Sequence, residues 1–341
     1  MSATGVTVVA IDPSDADAFD EWFAVLHVTD MEQELGGPGW QRVERLGLAL
    51  DQDGPEEHRC LVARCEGDGP VLGIADLEMF RRENQHVARL DVRVLSEHRR
   101  EGVGTAIVAA AARMATEAGR TALGGMDQTP VREGYVDASG PFARHLDFDV
   151  ALRMVRRRLK LPLGRDHQTR LRQHPHATPI GYTLLTWHDR WPDEYMEDRC
   201  ELGRRMSTDV PMGEQELDEE VWDAARVRAI EASLQAQNRA KVTTVARHDA
   251  TGRLVAFSEV VVPLGAPESS WQHDTLVMRE HRGHHLGFAT KVANLWATLE
   301  RHPGVRAINS WNAAENEHMI AVNDAMGFEV VALSNYWLKE L

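Results

Sequence analysis

Cysteine is scarce in this chain of 341 residues: Cys60, Cys65 and Cys200 are all it has. An odd number at those spacings supplies neither a disulfide framework nor a thiolate metal set, so reduced, unpaired thiols are expected. Long apolar runs are also missing. No stretch of about 18 apolar residues occurs, and Met1 to Ile11 lacks the basic start and apolar core of a secretory signal, which predicts no membrane partner and a cytoplasmic protein. Positive charge is in short supply, with 38 Lys and Arg against 53 Asp and Glu and a formal net charge of −15. A nucleic-acid partner needs clustered cations to displace counterions, so that class is set aside and a cationic ligand is favoured. The basic run Arg153 to Lys160 is interleaved with Val155 and Leu159 and reads as a strand with one solvated face. No metal site is expected either. The histidines His281, His284 and His285, and His174 with His176, have no carboxylate or cysteine at ligand spacing to complete a set.

One segment is present twice. Glu97-His98-Arg99-Arg100-Glu101-Gly102-Val103-Gly104 returns in the second half as Glu280-His281-Arg282-Gly283-His284-His285-Leu286-Gly287. Each copy follows a short apolar run that predicts a strand (Leu90 to Leu95; Thr275 to Met278) and precedes a helical pattern (Thr105 to Ala118; Phe288 to Leu299). A glycine-containing loop that opens a helix presents unpaired N–H groups and a positive dipole end, which suits a phosphate or pyrophosphate.

The surroundings repeat as well. Residues Cys60 to Arg64 and Val71 to Phe80 flank the turn Glu66 to Pro70, and Thr243 to Arg247 and Leu254 to Val262 flank Asp249 to Gly252, so a hairpin precedes each loop. Helices are expected at Asp15 to Val28, Asp193 to Met206, Asp218 to Gln237 and Glu315 to Met326. Residues 164–179, with almost no apolar periodicity, read as a linker between an N-terminal domain, 1–163, and a C-terminal domain, 180–341. Leu146 to Arg157 would close the first domain and Asn335 to Lys339 the second. Consecutive strands before each helix argue against a strict βαβ rhythm. They favour an α/β (mixed α+β) fold in which each domain has a mixed, mostly antiparallel sheet flanked by helices.

Arg99, Gly102 and Gly104, in the order Arg, two residues, Gly, one residue, Gly, resemble the signature of the GNAT superfamily of acyl-CoA-dependent N-acetyltransferases. The second copy keeps Arg282 and Gly287 and has His285 in place of the first glycine. Asn312-Ala313-Ala314-Glu315-Asn316, Asn323 and Gly327-Phe328 resemble the end of such a domain, whereas the first half has only Asp147-Phe148 there. The resemblance covers nearly the whole chain and is to the tandem members. It implies acetyl-CoA as acyl donor, held by Val94, Leu95, Arg99, Arg100, Glu101, Gly102, Val103, Gly104 and Thr105 in the first half. In the second half it implies Val277, Met278, Arg282, Gly283, His284, His285, Leu286 and Gly287, with Asn316 as a further contact. The tyrosine that protonates the thiolate in this family is replaced by Ala143 in the first half and Asn323 in the second; Tyr135 and Tyr336 are the substitutes to consider.

The chemistry so implied is direct transfer of an acetyl group to the primary amine of a small, cationic molecule. Holding amine and thioester as neighbours supplies about 7 to 11 kcal/mol of the barrier. A strand amide near Val94 or Val277 would meet the oxyanion. A carboxylate must take the ammonium proton. Glu259 and Asp274 are the candidates in the second half, and Asp91, with Asp76 and Glu78, in the first; Asp91 and Asp274 hold the same place on the strand entering each loop. Twelve acidic residues between Asp193 and Asp223 face three arginines and suggest a negative wall for a cationic amine. A CoA-binding regulatory or scaffolding protein without turnover, and a protein acetyltransferase, remain as alternatives. A monomer or homodimer is expected.

Overall fold

Asp15 starts the first long helix, its carboxylate accepting from the amides of Asp17 at 3.1 Å and Ala18 at 3.2 Å. That side chain satisfies N–H groups which have no partner inside the helix. The computed structural model describes residues 5–33, 39–65, 69–209 and 218–341. In the first half the order is β1 (Val6–Ala10), α1 (Ala16–Glu32), α2 (Arg42–Ala49), β2 (Glu56–Cys65), β3 (Val71–Phe80), β4 (Val87–Val94), α3 (Val103–Glu117), β5 (Ala122–Met126), β6 (Thr129–Pro130), α4 (Ser139–His145) and β7 (Asp149–Lys160). The second half continues with α5 (Arg165–Arg172), β8 (Tyr182–His188), α6 (Met196–Asp209), α7 (Ala224–Ala236), β9 (Arg239–His248), β10 (Leu254–Pro263), β11 (Ser269–Val277), α8 (Leu286–Arg301), β12 (Ala307–Ala313), α9 (Glu317–Met326) and β13 (Glu329–Glu340). Both hairpins form as expected from the sequence, although residues 66–68 of the first turn lie outside the described residues.

The chain divides into two units whose boundaries differ from the expected domains. Among the described residues, one unit holds 5–153 with 332–341, and the other holds 154–209 with 218–331. Each half finishes the other's sheet. Met154 to Lys160 of β7 pair antiparallel with Ala313 to Ala307 of β12, while Tyr336 to Glu340 of β13 pair with Met126 to Ala122 of β5. The expected closing segments, Leu146 to Arg157 and Asn335 to Lys339, are therefore strand, the first from Asp149 onward and the second throughout, with Met154 to Arg157 of the first and all of the second lying in the opposite unit. The segment expected to be a linker, 164–179, contains α5, whose Leu171 is 2% exposed and packs with Phe288 and Val292 of α8. Its apolar residues are too few to give a period, yet Leu171 suffices to anchor it.

Period two along the strands builds two layers on each sheet. In the first unit, Leu61, Ala63, Ala75 and Leu77 face α3, and Cys60, Val62 and Ile74 face α1. In the second, Val245 and Phe257 pack with Leu202 of α6 and Val227 of α7, and Val260 and Val262 pack with Phe288 and Leu295 of α8. The helix expected from Asp218 starts only at Ala224, where Asp223 provides the cap by accepting from Arg226 N at 2.7 Å. Among the described residues no helix is long and apolar enough to cross a membrane.

Candidate active site

The two repeated loops have one backbone. In the first, Arg100 and Gly102 take left-handed φ values of 69° and 87°; in the second, Gly283 and His285 take 85° and 57°. A left-handed pair two residues apart turns successive N–H groups toward one side and delivers them to the first turn of α3 or α8. Glycine meets this need at one position of each loop. Arg100 and His285 meet it at the other, at a cost of about 1 kcal/mol each. His285 is therefore compatible with the turn, and its ring stacks on His176 with centroids 3.4 Å apart. The motif arginines fasten each loop to the strand before it: Arg99 Nε donates to the Val94 carbonyl at 3.1 Å, and Arg282 Nε to the Val277 carbonyl at 3.3 Å. Arg99 also meets the carboxylate of Glu32.

Val94 and Val277 thus end the incoming strands, Leu95 and Met278 lead into a short 3-10 turn, and residues 99–102 and 282–285 form the bend. Val103, Gly104 and Thr105, and Leu286 with Gly287, lie in the first helical turn, Val103 and Leu286 being buried. Glu101, His284 and His285 are exposed on the outside of the bends. The glycines inside the helices differ in surroundings: a Cβ on Gly104 would meet Phe142 Cζ at 3.0 Å, whereas one on Gly287 would meet, among the described residues, Val277 Cγ2 at 3.7 Å. Asn316 caps α9, accepting from Met319 N at 3.1 Å.

Beside each loop two parallel strands part. β11 pairs with β12 at Ser269, Ser270 and Trp271 and no further, and β4 pairs with β5 only over Val87 to Arg89. Beyond those points the facing strand edges lack ladder partners from one another, leaving backbone donors and acceptors for an extended ligand.

The second unit adds a bulge that the first does not have. The register of β10 on β11 shifts between Ser258 and Val260, so that His273 and Asp274 together oppose Glu259. A bulge re-aims side chains next to the gap. Asp274 is half-buried and His273 is exposed. Burial raises the Asp274 carboxyl to about 6, helped by the negative charges of Glu259 and Glu220 and opposed by Arg199 and Lys241. Burial, Arg239 and Lys241 lower His273 to about 4, against the pull of Glu259.

Glu259 is occupied otherwise. It is 4% exposed, accepts from Thr243 Oγ1 at 3.0 Å and Trp191 Nε1 at 3.2 Å, and pairs with Lys241 Nζ at 3.2 Å. Burial pushes its pKa up, but Lys241, Arg199 and the Thr243 hydroxyl outweigh this and hold it at about 2. Glu259 is thereby a fixed charge that acts on Asp274. Lys241 was legible: Glu259 lies opposite Thr243, and Lys241 is two residues along on the same face.

The corresponding place in the first unit is closed by arginines. Arg93 grips Asp91 with Nε at 2.8 Å and NH2 at 2.9 Å and also reaches Asp30 at 3.2 Å. Asp76, opposite Asp91, is buried against Arg45 and His58. Glu78 pairs with Arg89 at 2.9 Å. Tyr336 belongs to this unit, where its hydroxyl lies against Gly124 so closely that a Cβ there would overlap it; Tyr135 is half-buried, beside the Arg132 guanidinium.

The expected acidic wall is largely neutralised. Asp193 pairs with Arg228, Asp198 with Arg253, Asp209 with Arg279, and Glu201 with Arg204 and Arg205. Three of those arginines lie outside the window in which the charges were counted; Glu214 and Glu216 are outside the described residues. Among the described residues no cluster of three or more His, Cys, Asp and Glu is arranged to hold a metal.

Residues 23–132 match the model of the acetyltransferase (GNAT) family. The whole chain is 28% identical to a solved tandem GNAT protein from the clavulanic acid biosynthesis pathway, determined without acetyl-CoA, over 98% of both chains and with a TM-score of 0.78. The chain thus carries a GNAT acetyltransferase match over residues 23–132 and is similar along its whole length to a tandem GNAT protein. A GCN5-related N-acetyltransferase from Sphaerobacter thermophilus shares the fold, with a TM-score of 0.68 and 14% identity over 100% of this chain and 97% of that one. Among curated proteins no match is found. The likeness to a tandem protein agrees with the duplicated loop, and the two units differ in the carboxylate beside it: Asp274 is half-buried opposite Glu259, and Asp91 is held by Arg93.

Proposed function

We propose that the second unit transfers the acetyl group of acetyl-CoA directly to a primary amine of a small molecule, with Asp274 as the base. The observation that carries this is Asp274 itself, a carboxylate beside the parted strands with its pKa raised to about 6. Such a group is largely ionised at neutral pH yet basic enough to take a proton from an ammonium, directly or through one water. The neutral nitrogen attacks the thioester carbonyl, a C–N bond forms, and the C–S bond breaks with its electron pair left on sulfur. The left-handed pair Gly283 and His285 and the N–H groups of the first turn of α8 suit the pyrophosphate. The unpaired edge of β11 near Val277 suits the pantetheine arm and the oxyanion.

The first unit is assigned CoA binding without turnover, because the arginine on Asp91 leaves no carboxylate there to accept a proton. Thiol release with acetyl-CoA and a panel of primary amines tests the whole reading. Release with at least one amine is expected, and calorimetric binding of CoA without release from any amine would leave only the binding role.

A further inference from the structure

Lys291 of α8 is 1% exposed, and no carboxylate among the described residues pairs with it. Its ammonium donates to Asn323 Oδ1 at 2.7 Å and stands 5.1 Å from the centroid of the Phe328 ring. A buried cation without a counter-ion is strongly unfavourable, and burial lowers this one to about 7. The polar chain does not end at Asn323. That residue is 0% exposed, and its Nδ2 donates to Asn312 Oδ1 at 2.6 Å.

In its charged form the lysine has donors only, so it settles which way both amides face. The Asn323 carbonyl turns to Lys291 and its NH2 to Asn312. The Asn312 carbonyl turns inward and its own NH2 is left facing away from the chain. Each amide is polarised by the one before it, so part of the ammonium's field reaches the last pair of N–H donors. Asn312 is half-buried on β12, three residues past Asn309, the last to pair with β11. Period two puts it on the same face as Ile308, which packs with Phe288 and Val292 of α8. The chain therefore runs from the core to the gap between the parted strands.

We infer that Lys291, acting through Asn323, orients and polarises the Asn312 amide as the hydrogen-bond donor to the sulfur of the departing thiolate in the second unit. This rests on the acyl-transfer reading above. As the C–S bond breaks, its electron pair stays on sulfur and the Asn312 N–H points at it; no proton leaves the amide, and the thiolate is protonated by solvent after release. Lys291 and Asn323 are positioning residues. Asn312 alone touches the reacting group. The arrangement accounts for an asparagine at position 323, where it has no acidic proton to give but is the link that transmits charge.

The test is the thiol pKa of CoA bound to the full-length protein, read from the ultraviolet absorbance of the thiolate, in the wild type, Lys291→Met and Asn312→Ala. Asn312→Ala should raise it by about one unit, and Lys291→Met by less, because a lysine that titrates at about 7 is largely uncharged where the thiol titrates. At about pH 6, where Lys291 keeps its charge, each should lower kcat about tenfold with KM for acetyl-CoA nearly unchanged. Lys291→Met should unfold no more easily than the wild type, since it removes an unpaired buried charge. CoA held in the first unit would give a second phase that neither variant moves. An unchanged thiol pKa in both variants with CoA bound overturns the inference and leaves the acyl-transfer reading standing. Loss of stability in Lys291→Met with kcat retained in Asn312→Ala overturns it as well, showing a purely structural lysine. Failure of the wild type to bind CoA removes the acyl-transfer reading, and this inference with it.

Discussion

The Glu259 carboxylate lies 3.2 Å from the Lys241 ammonium, with both side chains at most 5% exposed. Glu259→Gln keeps the shape and the acceptor for Trp191 and Thr243 but strands the lysine. Removing one partner of a buried pair costs about 3 to 5 kcal/mol, so denaturant unfolding should move to markedly lower concentration. The loss of negative charge should also lower the Asp274 pKa and carry the acidic limb of the rate profile to lower pH. A stable variant with an unmoved limb would separate Glu259 from Asp274 altogether.

Asp274 should make the fold less stable at neutral pH. Its pKa rises from 3.8 to about 6 on folding, so between those values the folded state keeps a proton that the unfolded state has lost. Stability from this group is fully present below about pH 4 and declines as pH rises to about 6, by at most about 3 kcal/mol. Asp274→Asn should abolish that decline and unfold later than the wild type at pH 7. Equal pH dependence of unfolding in the two proteins would show that Asp274 is solvated enough to leave its carboxyl unshifted.

The pair of Arg45 and Asp76 predicts the opposite sign. Burial would push Asp76 up, but Arg45 and His58 hold it far below the usual carboxylate range, so its contribution is present above pH about 4 and is lost as pH falls further. Asp76→Asn leaves Arg45 buried without its charge partner, and about 3 to 5 kcal/mol of stability should go with it. Calorimetric unfolding at pH 7 checks this, and a difference of under about 0.5 kcal/mol, the range of ordinary surface changes, would contradict it.

Removing residues 332–341 should damage the first unit. Asp127 accepts from Asn335 N at 2.6 Å and Trp337 Nε1 at 2.8 Å, and Trp337, 4% exposed, packs in the same core as Leu123 and Ala88. Amide exchange should accelerate at Ala122 to Met126 and stay slow at Ser269 to Trp271. Faster exchange confined to the second sheet would reverse the assignment of the C-terminal strand.

The strands, hairpins and loop-to-helix turns were legible because period two, period 3.6 and turn residues are local signals. Strand exchange was not: Leu146 to Arg157 and Asn335 to Lys339 have the same alternation whichever sheet they join. Gly102 and Gly104 marked the loop, but sequence could not tell that His285 would accept a left-handed φ of 57°. Asp91 and Asp274 looked equivalent along the chain. Their difference comes from a one-residue bulge opposite Glu259 and from Arg93, which sits two residues from Asp91 and folds back on it. The acidic count between Asp193 and Asp223 misled because Arg228, Arg253 and Arg279 arrive from elsewhere in the fold.

The central claim is that the second unit turns over and that Asp274 is its base. The most direct measurement is the pH dependence of kcat/KM for thiol release, in the wild type, Asp274→Asn and Asp91→Asn, with an amine the protein accepts. The wild type should rise through an apparent pKa near 6, Asp274→Asn should lose this limb and at least about a hundredfold in rate, and Asp91→Asn should follow the wild type. A rate that survives Asp274→Asn and collapses with Asp91→Asn would contradict the account and place the chemistry in the first unit.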